Sequence, residues 1–133
     1  MDCIFCKIIK GEIPCQKVAE SKEFFAFLDI MPIAEGHTLI VPKRHVKDFS
    51  EFPQELGSEF VTFTQDAMRR LLALGYDGIN IGMNNGVAAG QAVMHQHTHL
   101  IPRWKDDGLK SWPSRKADHE NLNETLRKIL KKK

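Results

Sequence analysis

From residue 56 to residue 74, Leu56, Phe60, Phe63, Ala67, Leu71 and Leu74 recur at three- and four-residue spacings, and Gly75 stands where such a run stops. This is the pattern of one long amphipathic helix, which must bury its apolar stripe against a flat partner. The flanking sequence supplies a sheet. Phe24 to Asp29 reads as a short, largely buried strand, and Thr38-Leu39-Ile40-Val41 is a second β-rich stretch closed by Pro42. Tyr76 to Asn84 alternates Ile79, Ile81 and Met83 against Asn80 and Gly82, and a further strand is expected from about Val93 to Pro102. Cys3 to Lys10 predicts a short helix stopped by Gly11, and Asp118 can cap a final helix carrying Leu122, Leu126, Ile129 and Leu130. The strands are not separated by helices in regular βαβ alternation, so the expected class is α+β with an antiparallel sheet.

A chain of 133 residues is the size of one domain, with 42% apolar and 27% charged residues, the balance of a globular protein. The net charge is only +2, and part of the surplus sits in the tail Arg127, Lys128, Lys131, Lys132 and Lys133, so no specific nucleic-acid partner is expected. No apolar stretch approaches the ~20 residues of a membrane span, and the first residues lack the charged and apolar regions of a secretion signal. A cytoplasmic protein is expected. Three cysteines, Cys3, Cys6 and Cys15, are an odd number that argues against a disulfide framework. Cys3-x-x-Cys6 has the spacing of a zinc knuckle, of a redox pair, or of two small buried residues.

The chemistry concentrates in His95-Gln96-His97-Thr98-His99. On a strand, alternate side chains share a face, so three imidazoles would line up in one row. Such a row admits two kinds of chemistry. It can chelate a catalytic metal, although the outer pair of an extended strand lies ~13 Å apart. Alternatively, one histidine is a nucleophile toward phosphorus, with its neighbours orienting it and assisting proton transfer to the leaving group. The preceding loop favours phosphorus, because Gly86 and Gly90 let backbone amides approach an anion while Asn84 and Gln91 add side-chain donors.

The sequence resembles the histidine triad (HIT) family in its Hint-like branch. The resemblance rests on His95-x-His97-x-His99 together with Cys3-Ile4-Phe5-Cys6-Lys7-Ile8-Ile9, Gly11-Glu12-Ile13-Pro14, Ala26-Phe27-Leu28-Asp29-Ile30, Gly36-His37-Thr38 through Lys43, Asn84-Asn85-Gly86 and Gly90-Gln91. It covers residues 3–103, with 104–133 as a C-terminal extension of a single domain spanning 1–133.

The resemblance implies a HIT-like fold: an antiparallel sheet of about five strands, one long helix and a C-terminal helix. It also implies cleavage at the α-phosphate of purine nucleotide conjugates through a nucleotidyl-histidine intermediate. His97 would be the nucleophile, His99 would contact the phosphate, and His37 would support the triad. Phe5, Ile8, Phe27, Leu28 and Ile30 would line the base pocket, and Asp29 would hold the ribose. Asn84, Gly90, Gln91 and Ala92 would bind the phosphate beside His97 and His99. Ala92 departs from a serine that several Hint enzymes carry near the leaving group. This leaves adenosine phosphoramidates and diadenosine polyphosphates both open as substrates, beside a zinc-stabilised nucleotide-binding dimer with little catalysis. By the same resemblance, Cys3, Cys6, His45 and His95 would hold one structural zinc per chain, and the protein would be a homodimer with a joined sheet. The helix from Leu56 to Leu74, with Val61 and Leu72 widening its stripe, would contribute to that interface.

Overall fold

The chain runs through a short helix α1 (Ile4–Ile9) and strands β1 (Lys17–Glu20), β2 (Phe24–Leu28) and β3 (Thr38–Pro42). The long helix α2 (Gly57–Leu72) follows, then β4 (Gly78–Met83), β5 (Thr98–Arg103) and a C-terminal helix α3 (His119–Lys131). The structure, a computed structural model, describes residues 2–110 and 112–131. Every strand pair is antiparallel, in the spatial order β1-β2-β3-β5-β4, so the α+β expectation holds.

The sheet is covered on both faces near its centre, and this explains why β2 is apolar throughout instead of alternating. Phe24 and Ala26 face α2 and join Ile40, Leu56, Phe63, Ala67, Leu71 and Leu100 in the larger core. Phe25 and Phe27 face the other way and pack with Phe5, Ile8, Leu39, Val41 and Cys3 around α1. Each fully buried aromatic side chain contributes roughly 1.5–3 kcal/mol by removal from water. One short helix thereby ties the N-terminus to the face of the sheet that carries the site.

Three departures from the sequence expectations have physical causes. β1, Lys17-Val18-Ala19-Glu20, is a short edge strand with two charged residues and a register irregularity at Lys17/Ala19, so it has no periodic signal. The helix expected from Leu56 begins at Gly57, after a 3-10 turn at Gln54–Leu56. The last strand starts at Thr98 instead of about Val93. Residues 93–97 leave the ladder because their groups are held elsewhere: the Gln96 amide donates to Val46 O at 2.7 Å, and the His95 ring to Pro42 O. Only His99 of the three histidines lies on the strand.

After β5 the Arg103 guanidinium is held on both sides. It meets Asp107 in a two-point ion pair at 2.7 and 2.9 Å, Asn80 Oδ1 at 2.7 Å and Leu109 O at 2.7 Å. Asp118 accepts from the Asn121 amide and caps α3 as expected. The apolar side chains of α3, Leu122, Leu126, Ile129 and Leu130, are exposed. Lys132 and Lys133 of the basic tail lie outside the described residues. Among the described residues no helix is long and apolar enough to cross a membrane.

Candidate functional site

The three histidines do not form one row. His95 turns toward Cys3, Cys6 and His45, whereas His99 turns toward His37 with His97 beside it, and the Phe5 ring lies edge-on to both His95 and His97. The expectation of three imidazoles on one strand face is corrected accordingly, and two separate centres result.

In the first centre, His95 Nε2–H donates to Pro42 O at 2.8 Å, which leaves the Nδ1 lone pair facing inward. That Nδ1 lies 3.4 Å from Cys3 Sγ, 3.5 Å from Cys6 Sγ and 3.2 Å from His45 Nδ1, and Cys6 Sγ is 3.4 Å from His45 Nδ1. Four ligand bonds of ~2.0–2.3 Å in a tetrahedron would space the donor atoms by roughly 3.3–3.8 Å. The two thiols and two imidazoles therefore fit a tetrahedral cation, with the Pro42 carbonyl fixing one ring from behind. α1 makes this possible, because Cys3 is its N-cap, accepting from the Cys6 amide, and Cys6 follows one turn later.

In the second centre, tautomers follow from backbone groups whose roles are fixed. The Ile33 N–H can only donate, so His37 Nδ1 accepts it at 3.1 Å and the proton of His37 sits on Nε2. His37 Nε2–H then donates to His99 Nδ1 at 2.9 Å, which places the His99 proton on Nε2. That Nε2–H is buried and has no partner. On the other side, the His95 carbonyl can only accept, so His97 Nδ1–H donates to it at 2.7 Å and the His97 Nε2 lone pair is left free. The site thus presents one base nitrogen and one unpaired donor, on rings whose centroids are 5.0 Å apart.

Both supporting rings stay neutral near pH 7. Burial lowers the His37 pKa, with Asp29 opposing and His97 adding to the shift. Burial and the His97 and His37 rings push His99 down to about 4. Asp29 Oδ2 lies 3.7 Å from His37 Nε2, while Oδ1 accepts the Met31 amide at 2.8 Å in a turn. Asp29, His37 and His99 could be read as a metal triad, but His37 Nε2 carries a proton and offers no lone pair there.

Two glycines shape the approach. Gly36 has φ +86 and comes within 3.1 Å of Pro102 and the Tyr76 hydroxyl at its would-be Cβ, so it delivers His37 through a turn that a side chain would block. Gly90 has φ +94 with the Asn84 amide 3.3 Å from its would-be Cβ. Gln91, expected to offer a side-chain donor, instead holds its loop: its Nε2 donates to Lys47 O and Val93 O, and its Oε1 accepts from Gly86. Among the described residues the Ala92 N–H has no hydrogen-bond acceptor, leaving a backbone donor on this loop. Phe5, Ile8 and Phe27 are buried around α1, whereas Leu28 and Ile30 are exposed, Ile30 at 88%. His99 also walls a cleft of about 380 Å³ with Ile33, Met83, Asn84, Arg103 and Trp112.

Sequence reasoning missed the backbone groups: the Ile33 amide and the His95 and Pro42 carbonyls. No side-chain motif encodes them.

The comparisons with known proteins agree with this geometry. Residues 10–106 match the HIT domain. The chain is 42% identical over 133 residues to the Saccharomyces cerevisiae adenosine 5'-monophosphoramidase HNT1, covering 98% of this chain and 82% of that protein. The crystal structure of a HIT family member from Bacillus subtilis superposes with TM-score 0.89 at 37% identity, covering 100% of this chain and 98% of that one. A Zn-bound histidine triad family protein from Mycobacterium smegmatis superposes with TM-score 0.75 at 37% identity, over 98% and 94% of the two chains. With its motifs in order, its five-stranded sheet and its paired histidine centres, the chain belongs to the HIT family.

Proposed function

We propose that this HIT-family hydrolase cleaves AMP-containing conjugates of the phosphoramidate kind at the α-phosphate. The observation that carries the reading is the pairing of the free His97 Nε2 lone pair with the unpartnered His99 Nε2–H. His97 Nε2 attacks phosphorus; the P–N(His97) bond forms as the bond to the leaving group breaks, and its electron pair departs with the amine, which takes its proton from water. Water then attacks phosphorus, the His97 bond breaks, and AMP and a proton are released. His99 is neutral, so it acts as a hydrogen-bond donor to a phosphoryl oxygen, not as a charged acid. Assistance of proton transfer to the leaving group by a flanking imidazole, the role expected from the sequence, is the alternative to this one. Asn84 with the Gly90–Ala92 loop supports the phosphate, Asp29 the ribose, and Phe5, Ile8, Phe27, Leu28 and Ile30 the purine.

The similarity to the Saccharomyces cerevisiae adenosine 5'-monophosphoramidase supports an amine leaving group. A second reading, hydrolysis of diadenosine polyphosphates, is favoured by the roughly 380 Å³ cleft beside His99, which has room and an aromatic wall in Trp112. Zinc is the proposed occupant of the Cys3, Cys6, His45 and His95 centre, one per chain, where it would add structural stability. The Zn-bound relative supports that choice. We also assign residues 1–133 to one domain with 104–133 as its extension, and place it in the cytoplasm, whose reducing conditions suit three free cysteines.

The test follows AMP release from adenosine 5'-phosphoramidate and from a diadenosine polyphosphate. Wild type should turn over the first, and His97→Ala should lose roughly 10³-fold or more while still binding AMP. Turnover of the dinucleotide alone would select the second reading, and retained activity in His97→Ala would overturn both.

A further inference from the structure

We propose that the backbone amide of Ile33 is a positioning group that sets the hydrogen-bond polarity of the His37–His99 pair, and with it the donor that the site offers. It rests on the reading of His99 as a phosphoryl donor. The chain of groups has four members: Ile33 N–H, His37, His99, and whatever His99 Nε2 faces. Each imidazole can pass the pattern on in either direction, so the two rings alone leave it undecided. The Ile33 amide is the member that cannot reverse. It donates to His37 Nδ1 at 3.1 Å, and the 2.9 Å contact from His37 to His99 transmits that choice, leaving His99 Nε2–H as a donor.

Removing that one hydrogen frees the opposite arrangement. His37 then carries its proton on Nδ1, His99 Nδ1–H donates to His37 Nε2, and His99 Nε2 presents a lone pair to the phosphate. A donor becomes an acceptor facing an anion, although no side chain has changed. The charged and titratable groups facing the two rings are Asp29, at 3.7 Å from His37 Nε2, and His97, whose ring centroid is 5.0 Å from that of His99. The carboxylate favours the same tautomer of His37 but does so from outside hydrogen-bonding range, so the amide dominates.

Ile33 also joins recognition to chemistry. Its amide belongs to the turn that begins at Asp29, whose own carboxylate fixes that turn by accepting the Met31 amide. His37 N–H closes the same turn on Ala34 O at 3.0 Å, and Asp29 N–H bonds His37 O at 3.0 Å. A ligand that engages Asp29 and Ile30 thereby grips the segment that orients the donor.

The experiment replaces the Ile33 N–H by an ester oxygen, through incorporation of the α-hydroxy analogue of isoleucine, which keeps the side chain. The genetic variants Ile33→Pro and Ile33→Ala respectively remove and retain the amide. Long-range nitrogen–proton NMR should show His37 and His99 as Nε2–H tautomers in wild type and in Ile33→Ala. In the ester and in Ile33→Pro, His99 should shift toward Nδ1–H. AMP should bind roughly 10-fold more weakly, and phosphoramidate turnover should fall roughly 10²-fold in kcat with a smaller change in KM. An Nδ1–H tautomer of His99 in wild type overturns the proposal, as do unchanged tautomers and AMP affinity in the ester protein. A wild type with the expected tautomers but no turnover overturns the hydrolase reading instead, and the AMP affinities still decide the role of the amide.

Discussion

His99 is the residue where structure and function pull hardest against each other. A buried N–H without a partner costs about 1–3 kcal/mol, and the Nε2 of His99 is such a group. The expense makes sense where a phosphoryl oxygen completes the bond. The same burial pushes the His99 pKa to about 4, with His37 lowered as well. Unfolded imidazoles titrate near ~6.5, so between that pH and about 4 the unfolded chain takes up protons that the folded chain refuses. The contribution of these rings to stability is therefore intact above ~pH 6.5 and lost as pH falls toward 4. Urea midpoints measured from about pH 7 down to about 4.5 should decline steadily in wild type and less in His99→Gln; parallel curves would contradict the assignment.

At the scale of elements, α1 and the segment before β5 are joined through the Cys3, Cys6, His45 and His95 cluster. Burial, with the Cys3 thiol beside it, pushes the Cys6 thiol up to about 11, so a bound cation must displace a proton and affinity should fall with pH. Metal analysis should find about one zinc per chain, and a strong chelator should lower Tm by roughly 10 °C. An unchanged melt in chelator would remove zinc from the account. The Cys-x-x-Cys spacing and the histidine triplet were legible in the sequence as side-chain signals, while the set Cys3, Cys6, His45 and His95 was what the family resemblance implied. The long helix was legible from its spacing, and β2 and β3 from continuous apolar runs buried on both faces. Period-two logic failed at His95 and His97, where the Val46 carbonyl takes the Gln96 amide and the His97 ring takes the His95 carbonyl, backbone groups that a strand would have paired. β1 escaped because its order comes from pairing with β2, not from a face of its own.

For the whole molecule, β4 forms the edge of the sheet opposite β1, with Ile81 exposed, and α2 carries an exposed Val61. Open edges of this kind invite a second strand. We assign that place to a second copy, extending the sheet across a two-fold axis as the sequence resemblance implied. Light scattering should give twice the 15.2 kDa chain mass; a monomer at micromolar concentration would refute it. The Arg103 clamp has a consequence of another kind. It fastens the backbone through Leu109, and α3 beyond it exposes its whole surface. Trp112 still walls the cleft beside His99, but farther downstream length is unconstrained: residues of the exposed α3 can be gained, lost or clipped without disturbing either histidine centre. The clamp and Trp112 together mark the boundary between the part of the polypeptide that must keep its spacing and the part that is free to drift.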